Sequence, residues 1–349
     1  MRIPAIEALR LPLAVLVVLI HTYNSAWDAV ASAPFHEAAT YLCRTVTGFA
    51  VPMFFVLSGY LYFAATPSPS LADYRRKWRR RVQTLLLPYL VWNLIAWALY
   101  ALRDVAAGSE LQIPFTLQIF WGCKEVGAAT VSGPGWPVEA STGPVLMPLW
   151  FVRDLLVINV LAPFIRWLLR PLHGALLVVL ALLFYSHCWP NYGGVTLTGL
   201  WFFSLGAWFA LSGRHLVEAT RPLAKPALAV SPTLLLSLWH NDGGAALWQP
   251  LYVVCAMVSA LHMAAYIARY RRPSRWMARS GFFVYAAHSI VLLPLTAVAA
   301  RYAAALPLGL QIGILLSCAA LATLLCLLAF RLLRLLPPRW TAPLTALTD

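Results

Sequence analysis

LRLPLAVLVVLIHTYNSAW, residues Leu9 to Trp27, decides the architecture. At about 1.5 Å rise per residue this stretch is long enough to cross a hydrocarbon core roughly 30 Å thick. No charge interrupts it between Leu11 and Ile20, yet Arg10 opens it and His21 lies within it. A guanidinium and an imidazole in such surroundings are costly, roughly 2.5–3.5 kcal/mol for a charged group on insertion scales, and are functional candidates by default.

Apolar runs recur along all 349 residues, of which 61% are hydrophobic and 11% charged. Mean hydropathy is +0.73, and a soluble domain carries about 25% charged residues. The expectation is an all-α integral membrane protein, a single transmembrane domain over 1–349. Its helices fall near 9–27, 42–64, 82–102, 144–169, 174–189, 194–212, 226–241, 247–270, 278–300 and 308–336, ten in all. Lys and Arg set the orientation. Twenty lie on the side of the N-terminus and the even loops, among them Arg75, Arg76, Lys77, Arg79, Arg80 and Arg81, and four (Arg44, Arg103, Lys124, Arg301) lie opposite. Both termini are therefore expected in the cytoplasm. The first helix resembles a signal peptide in outline, but cleavage after Ala33 would discard His21, Asn24 and Asp28.

The net charge of +14 reflects these topological clusters, and no aromatic-studded basic motif points to nucleic acid. Scattered single histidines, with no HExxH, give no metal site. Cys255, Cys318 and Cys326 fall in apolar helices as small core residues. Cys43, Cys123 and Cys188 fall near the outer side and allow at most one disulfide.

Other polar residues stand inside spans. Arg10 and His21 are about three turns apart, so they share one stripe about 16 Å long. The alternative is that Arg10 snorkels to the interface beside Glu7. Arg153 and Asp154 are successive on the fourth span; neighbours in sequence do not face each other, so each is expected to find partners on other helices or line a polar cavity. His288 and His262 lie mid-span, where a satisfied core histidine is the competing reading. The long outer segment, about 103–143, carries Glu110, Glu125 and Glu139, and loops of that length are usually functional.

Several of these stretches together resemble the acyltransferase-3 family of bacterial membrane acyltransferases, which includes enzymes that O-acetylate surface glycans. Glu7-Ala8-Leu9-Arg10, ten residues and then His21 is similar to the family's Arg-x10-His pattern. Phe54-Phe55-Val56-Leu57-Ser58-Gly59-Tyr60-Leu61 is similar to its Ser-Gly-aromatic signature, and Arg81 to Tyr89 to its basic entry into the third helix. Pro148-Leu149-Trp150-Phe151 and Phe283 to His288 are similar to later landmarks. Thr84 stands where many members have a second arginine.

The resemblance implies acyl transfer from cytoplasmic acetyl-CoA, a co-substrate, to a hydroxyl of a glycan or lipid-linked sugar, in a bacterial inner membrane and without a metal. His21 would be the general base, since imidazole has an ordinary pKa near 6.5. Arg10 would hold donor phosphate or polarise the thioester. Ser58, Tyr60, Arg76, Arg80 and Arg81 would bind donor or substrate, and Trp150, Arg153, Asp154 and His288 would line the path between donor and acceptor. An acidic partner is expected among Glu110, Glu125 and Glu139. The competing classes are a transporter or flippase, and a receptor or scaffold. Acceptor, acyl length and oligomeric state stay open.

Overall fold

The computed structural model describes residues 3–28, 30–66, 68–126, 141–172, 174–186, 193–240 and 245–345. Each of the ten expected runs contains a helix. Among the described residues seven helical stretches are long and apolar enough to cross a membrane, which makes the chain a multi-pass membrane protein. The helices Gly174–Ser186 and Leu197–Leu211 are apolar but shorter.

The chain divides into two compact units. The first, Met1–Phe54 with Val217–Pro337, contains α1 (Pro4–Thr22) and α2 (Ala33–Thr40). It also contains the start of α3 (Ala50–Ala64). α1 begins five residues before the expected span, because Pro4 fits the first helical position and Glu7 favours the positive end of the helix. A π-turn, Tyr41–Thr45, carries the chain from α2 towards α3, so helix precedes the expected start at 42. Later in the chain this unit adds four more helices. They are Arg221–His240, Ala245–Tyr270, Arg275–Ala303 and Leu308–Leu333. α1 packs on the third and second of these.

The second unit, Phe55–Leu216 with Pro338–Asp349, holds the rest of α3, then α4 (Leu71–Arg81) and α5 (Leu87–Ala106). α6 (Trp150–Leu172), α7 (Gly174–Ser186) and α8 (Leu197–Leu211) follow. In chain order the helices of the first unit just given are α9 to α12, and the C-terminal Pro338–Thr345 is α13. Where the sequence suggested a loop, the outer segment has a 3-10 turn, Leu117–Phe120, and two short antiparallel strands. These are β1 (Lys124–Val126) and β2 (Ser141–Gly143), with Lys124 opposite Gly143.

One face of α5 fastens that segment. Tyr89, Asn93 and Trp97 are spaced four apart, so they stand one above another. The Tyr89 hydroxyl donates to the Phe120 carbonyl. Asn93 Oδ1 accepts from the Leu146 amide at 3.1 Å, and Trp97 Nε1 donates to the Ile113 carbonyl at 3.1 Å. Backbone groups outside regular structure, which lipid cannot satisfy, thus find side-chain partners.

Within the same unit, α3 and α8 cross at two glycines. A Cβ on Gly59 would meet the Phe203 carbonyl oxygen at 2.0 Å, and one on Gly206 the Val56 carbonyl oxygen at 2.0 Å. No side chain fits, and small residues let membrane helices approach this closely. The glycine in the Ser58-Gly59-Tyr60 signature is therefore a packing residue. Gly59→Ala and Gly206→Ala should each lower the thermal unfolding midpoint in detergent. A midpoint equal to that of the wild type in both would mean the helices can separate at no cost.

Candidate functional site

In the first unit, α1 and α11 bring two histidines together. His21 ends α1 and His288 lies mid-way along α11; their ring centroids are 5.4 Å apart with planes inclined by 34°. The approach depends on Gly281, where a Cβ would lie 3.0 Å from the Arg10 carbonyl oxygen. His288 is fully buried and His21 half-buried. Nδ1 of His288 lies 2.7 Å from the Tyr285 carbonyl oxygen, and Nε2 has no hydrogen-bond partner among the described residues.

Polar groups next to this pair are occupied. Asn24 Nδ2 donates to Thr296 Oγ1 at 3.0 Å and to the His21 carbonyl at 3.2 Å. The Thr22 hydroxyl donates to the Val18 carbonyl at 2.8 Å. Beyond the end of α1, Tyr23 shares a 2.6 Å hydrogen bond with His36 Nδ1, and the Arg44 guanidinium lies 5.9 Å from the Tyr23 ring. Nothing in the sequence pattern marked Tyr23 or His36, because their partners lie past a turn.

Arg10 is exposed and lies about 16 Å along α1 from His21, so it is no part of the histidine pair. His262 shares a 3.0 Å hydrogen bond with Thr220 Oγ1, the satisfied core histidine. A cleft of about 560 Å³ in this unit is lined by Trp276, Arg331, Arg334 and Leu335. Arg331 and Arg334 have no ion-pair partner among the described residues, and both are exposed.

Within the second unit the remaining residues fall into three groups. Arg153 and Asp154 are 2% and 0% exposed and form an ion pair with each other at 3.0 Å. This corrects the expectation that neighbours on a helix must look elsewhere: the long guanidinium arm folds back so that Nε reaches Asp154 Oδ1 at 3.0 Å. Nor are their other partners on helices. Arg153 Nη1 donates to the Trp121 carbonyl and, at 2.6 Å, to the Thr142 carbonyl. The Gly194 amide donates to Asp154 Oδ1 at 2.9 Å. Gly194 has φ +96°, and a Cβ there would press on the Trp121 ring at 3.0 Å. The pair therefore clamps the middle and the end of the outer segment, and the turn before α8, onto α6.

The second group is α4. Ser70 and Asp73 form a capping box at its start, and Arg76 pairs with Asp73 at 2.6 Å on the surface. Lys77 Nζ donates to the Tyr62 carbonyl at 2.6 Å and lies 4.6 Å from the Tyr62 ring. Arg81 is half-buried, 6.0 Å from the same ring. Arg75, Arg79 and Arg80 are exposed, as is Arg76. The third group lines α3 and the start of α6. Ser58 is half-buried, Tyr60 is buried with its ring 6.5 Å from His215, and half-buried Trp150 has its ring 6.5 Å from Phe55.

Of the acidic candidates, Glu110 is exposed just past α5, Glu125 falls on β1, and Glu139 lies outside the described residues. A buried carboxylate among the described residues of the segment is Asp104, whose Oδ2 accepts from the Gln112 amide at 3.1 Å and whose Oδ1 pairs with Arg103 at 2.6 Å. Cys43 is a buried thiol, and Cys188 lies outside the described residues.

Intramembrane histidines, an internally bonded arginine–aspartate pair and many apolar helices define a polytopic membrane protein with polar chemistry inside its spans. Residues 3–336 match the acyltransferase-3 family, described as an acyltransferase domain, and the chain belongs to that family. It is similar to the succinoglycan biosynthesis protein ExoH of Rhizobium meliloti (strain 1021), 26% identical over 243 residues, which are 66% of this chain. The match spans 61% of ExoH. No solved structure matches the chain.

Arg153→Leu should strip Asp154 of its charge partner and cost about 3–5 kcal/mol. Arg153→Lys should also destabilise, because an ammonium lacks the planar fork that reaches a carboxylate and two carbonyls together. Unfolding of both variants in detergent at the wild-type temperature would show that the clamp holds nothing.

Proposed function

We propose that the chain transfers an acyl group, in the first instance acetyl, from acyl-CoA at the cytoplasmic face to a hydroxyl of a cell-surface glycan or lipid-linked sugar. It does so from the bacterial inner membrane, as ten spans with both termini in the cytoplasm. The observation that carries the reading is the half-buried imidazole of His21, set against a buried second imidazole inside the spans of an acyltransferase-3 chain. The similarity to ExoH, a succinoglycan biosynthesis protein, supports a polysaccharide acceptor.

The chemistry suits the residues. An alcohol attacks a thioester slowly at neutral pH because its proton must leave as the new C–O bond forms. A neutral imidazole beside the attacking oxygen takes that proton, an effect worth about 10²–10⁴-fold. Half-buried His21 is assigned as the base, and fully buried His288 is not. The thiolate then departs as the tetrahedral intermediate collapses.

The donor's phosphates need cations on the cytoplasmic side. Arg76 and Arg80 of α4 are assigned to them, with Arg81 packed behind against Tyr62. Arg10 is assigned to the donor entrance rather than to the reacting carbonyl, because it stands so far from His21. Ser58, Tyr60 and Trp150 are assigned to the substrate path. Arg153 and Asp154 support that path by holding the outer segment.

His21→Ala should lower acetyl transfer from labelled acetyl-CoA by about 10²–10⁴-fold while CoA still binds. A transporter would show no CoA dependence, and wild-type protein that neither binds CoA nor transfers from or hydrolyses acetyl-CoA would sink the assignment. Arg76→Gln with Arg80→Gln should raise the KM for acetyl-CoA, and high salt should blunt the difference. The same change at Arg331 and Arg334 is the control surface. If only that second pair raised the KM, the donor would enter by the Trp276 cleft instead.

A further inference from the structure

We infer that His288 is a positioning residue for His21: its Nε2 accepts a hydrogen bond from the His21 ring and so fixes which His21 nitrogen is left free as the base. The inference rests on the acyl-transfer reading for its consequence in catalysis, but on geometry for the pair itself.

A carbonyl oxygen only accepts, so the 2.7 Å contact with Tyr285 puts the hydrogen of His288 on Nδ1. The neutral ring then carries its lone pair on Nε2. That nitrogen is in a fully buried side chain and has no partner among the described residues. Buried acceptors are nearly always satisfied, so an orphan of this kind calls for an explanation.

The ring beside it is His21. Two imidazoles joined in line by an N–H···N bond of about 2.9 Å have centroids roughly 5.2 Å apart, each nitrogen being about 1.15 Å from its centre. The observed separation is 5.4 Å. That separation leaves room for such a bond once a His21 ring nitrogen is turned towards His288. Asn24, Thr22 and Thr296 do not compete, because each already bonds elsewhere.

In the reaction, one His21 nitrogen takes the proton of the acceptor hydroxyl as the oxygen forms its bond to the thioester carbon. The other nitrogen keeps its hydrogen and directs it to His288 Nε2. When the C–S bond breaks, the thiolate takes up the proton that His21 received. His288 gains no proton; it orients the base and stabilises the imidazolium, as the third member of a nucleophile–base–orienter set does.

The test compares His288→Leu, His288→Gln, His21→Ala and the double variant His21→Ala/His288→Leu in nanodiscs. Acetyl-CoA is the probe, and transfer or hydrolysis is the readout. His288→Leu should lower kcat by about 10–100-fold with the KM for acetyl-CoA little changed. His288→Gln should recover part of that loss, because its amide oxygen can accept. The double variant should be no slower than His21→Ala, since the two act as one unit. A His288→Leu rate within about threefold of wild type, or losses that multiply in the double variant, overturns the inference.

Nitrogen-15 NMR of labelled histidine gives an arm that needs no turnover. His288 should be protonated at Nδ1, and His288→Leu should change the balance of His21 tautomers. An unchanged balance overturns the inference. A changed balance in a protein that uses no acyl-CoA would keep the histidine pair and remove acyl transfer alone.

Discussion

Every polar group placed inside this protein's membrane spans must be satisfied by the protein itself, because hydrocarbon offers no hydrogen bonds. The second unit meets much of that demand around Arg153, although Arg153 Nη2 and Asp154 Oδ2 have no hydrogen-bond partner among the described residues. Its guanidinium reaches one carboxylate and two loop carbonyls, while the carboxylate also accepts a backbone amide. A charge at 2% exposure would be prohibitive without them. With them, one α6 side chain fixes the positions of Trp121, Thr142 and, through Asp154, Gly194. The α5 face of Tyr89, Asn93 and Trp97 adds a second row of fastenings to the same segment.

Against that background the histidine pair stands out for what it withholds. His288 bonds its own helix through one ring nitrogen, and the other has no partner among the described residues. The contrast separates two uses of intramembrane polarity. Arg153 is expended on structure, and its removal acts on stability. His21 keeps a nitrogen available, and its removal acts on chemistry. Burial alone does not distinguish them, since Arg153 and His288 are both enclosed and each carries a nitrogen without a hydrogen-bond partner among the described residues; the contrast lies in the bonds Arg153 makes to a carboxylate and two distant carbonyls, against the bond of His288 to its own helix.

The basic helix α4 divides along the same line. Lys77 and Arg81 lie over aromatic rings of α3 and help hold the helix in place. Arg75, Arg76, Arg79 and Arg80 remain exposed. Thr84, where relatives often have an arginine, instead donates to the Arg80 carbonyl at 2.9 Å. Its hydroxyl braces the turn into the π-helical stretch Val82–Leu86 rather than extending the cationic surface.

The membrane class, the places of the apolar helices, the family and the identity of the intramembrane polar residues are all legible along the linear chain. Transfer into lipid is nearly additive along a chain, so a run of apolar side chains reports it without knowledge of neighbours. Which groups those polar residues meet is visible only in the folded chain. Arg153 and Asp154 bond each other and three loop groups, Asp104 rather than Glu110 is the enclosed carboxylate, and His288 meets His21 from the far end of the chain. Hydrogen bonds reach about 3 Å, and which groups come within that reach depends on how distant helices pack, a property no linear spacing records.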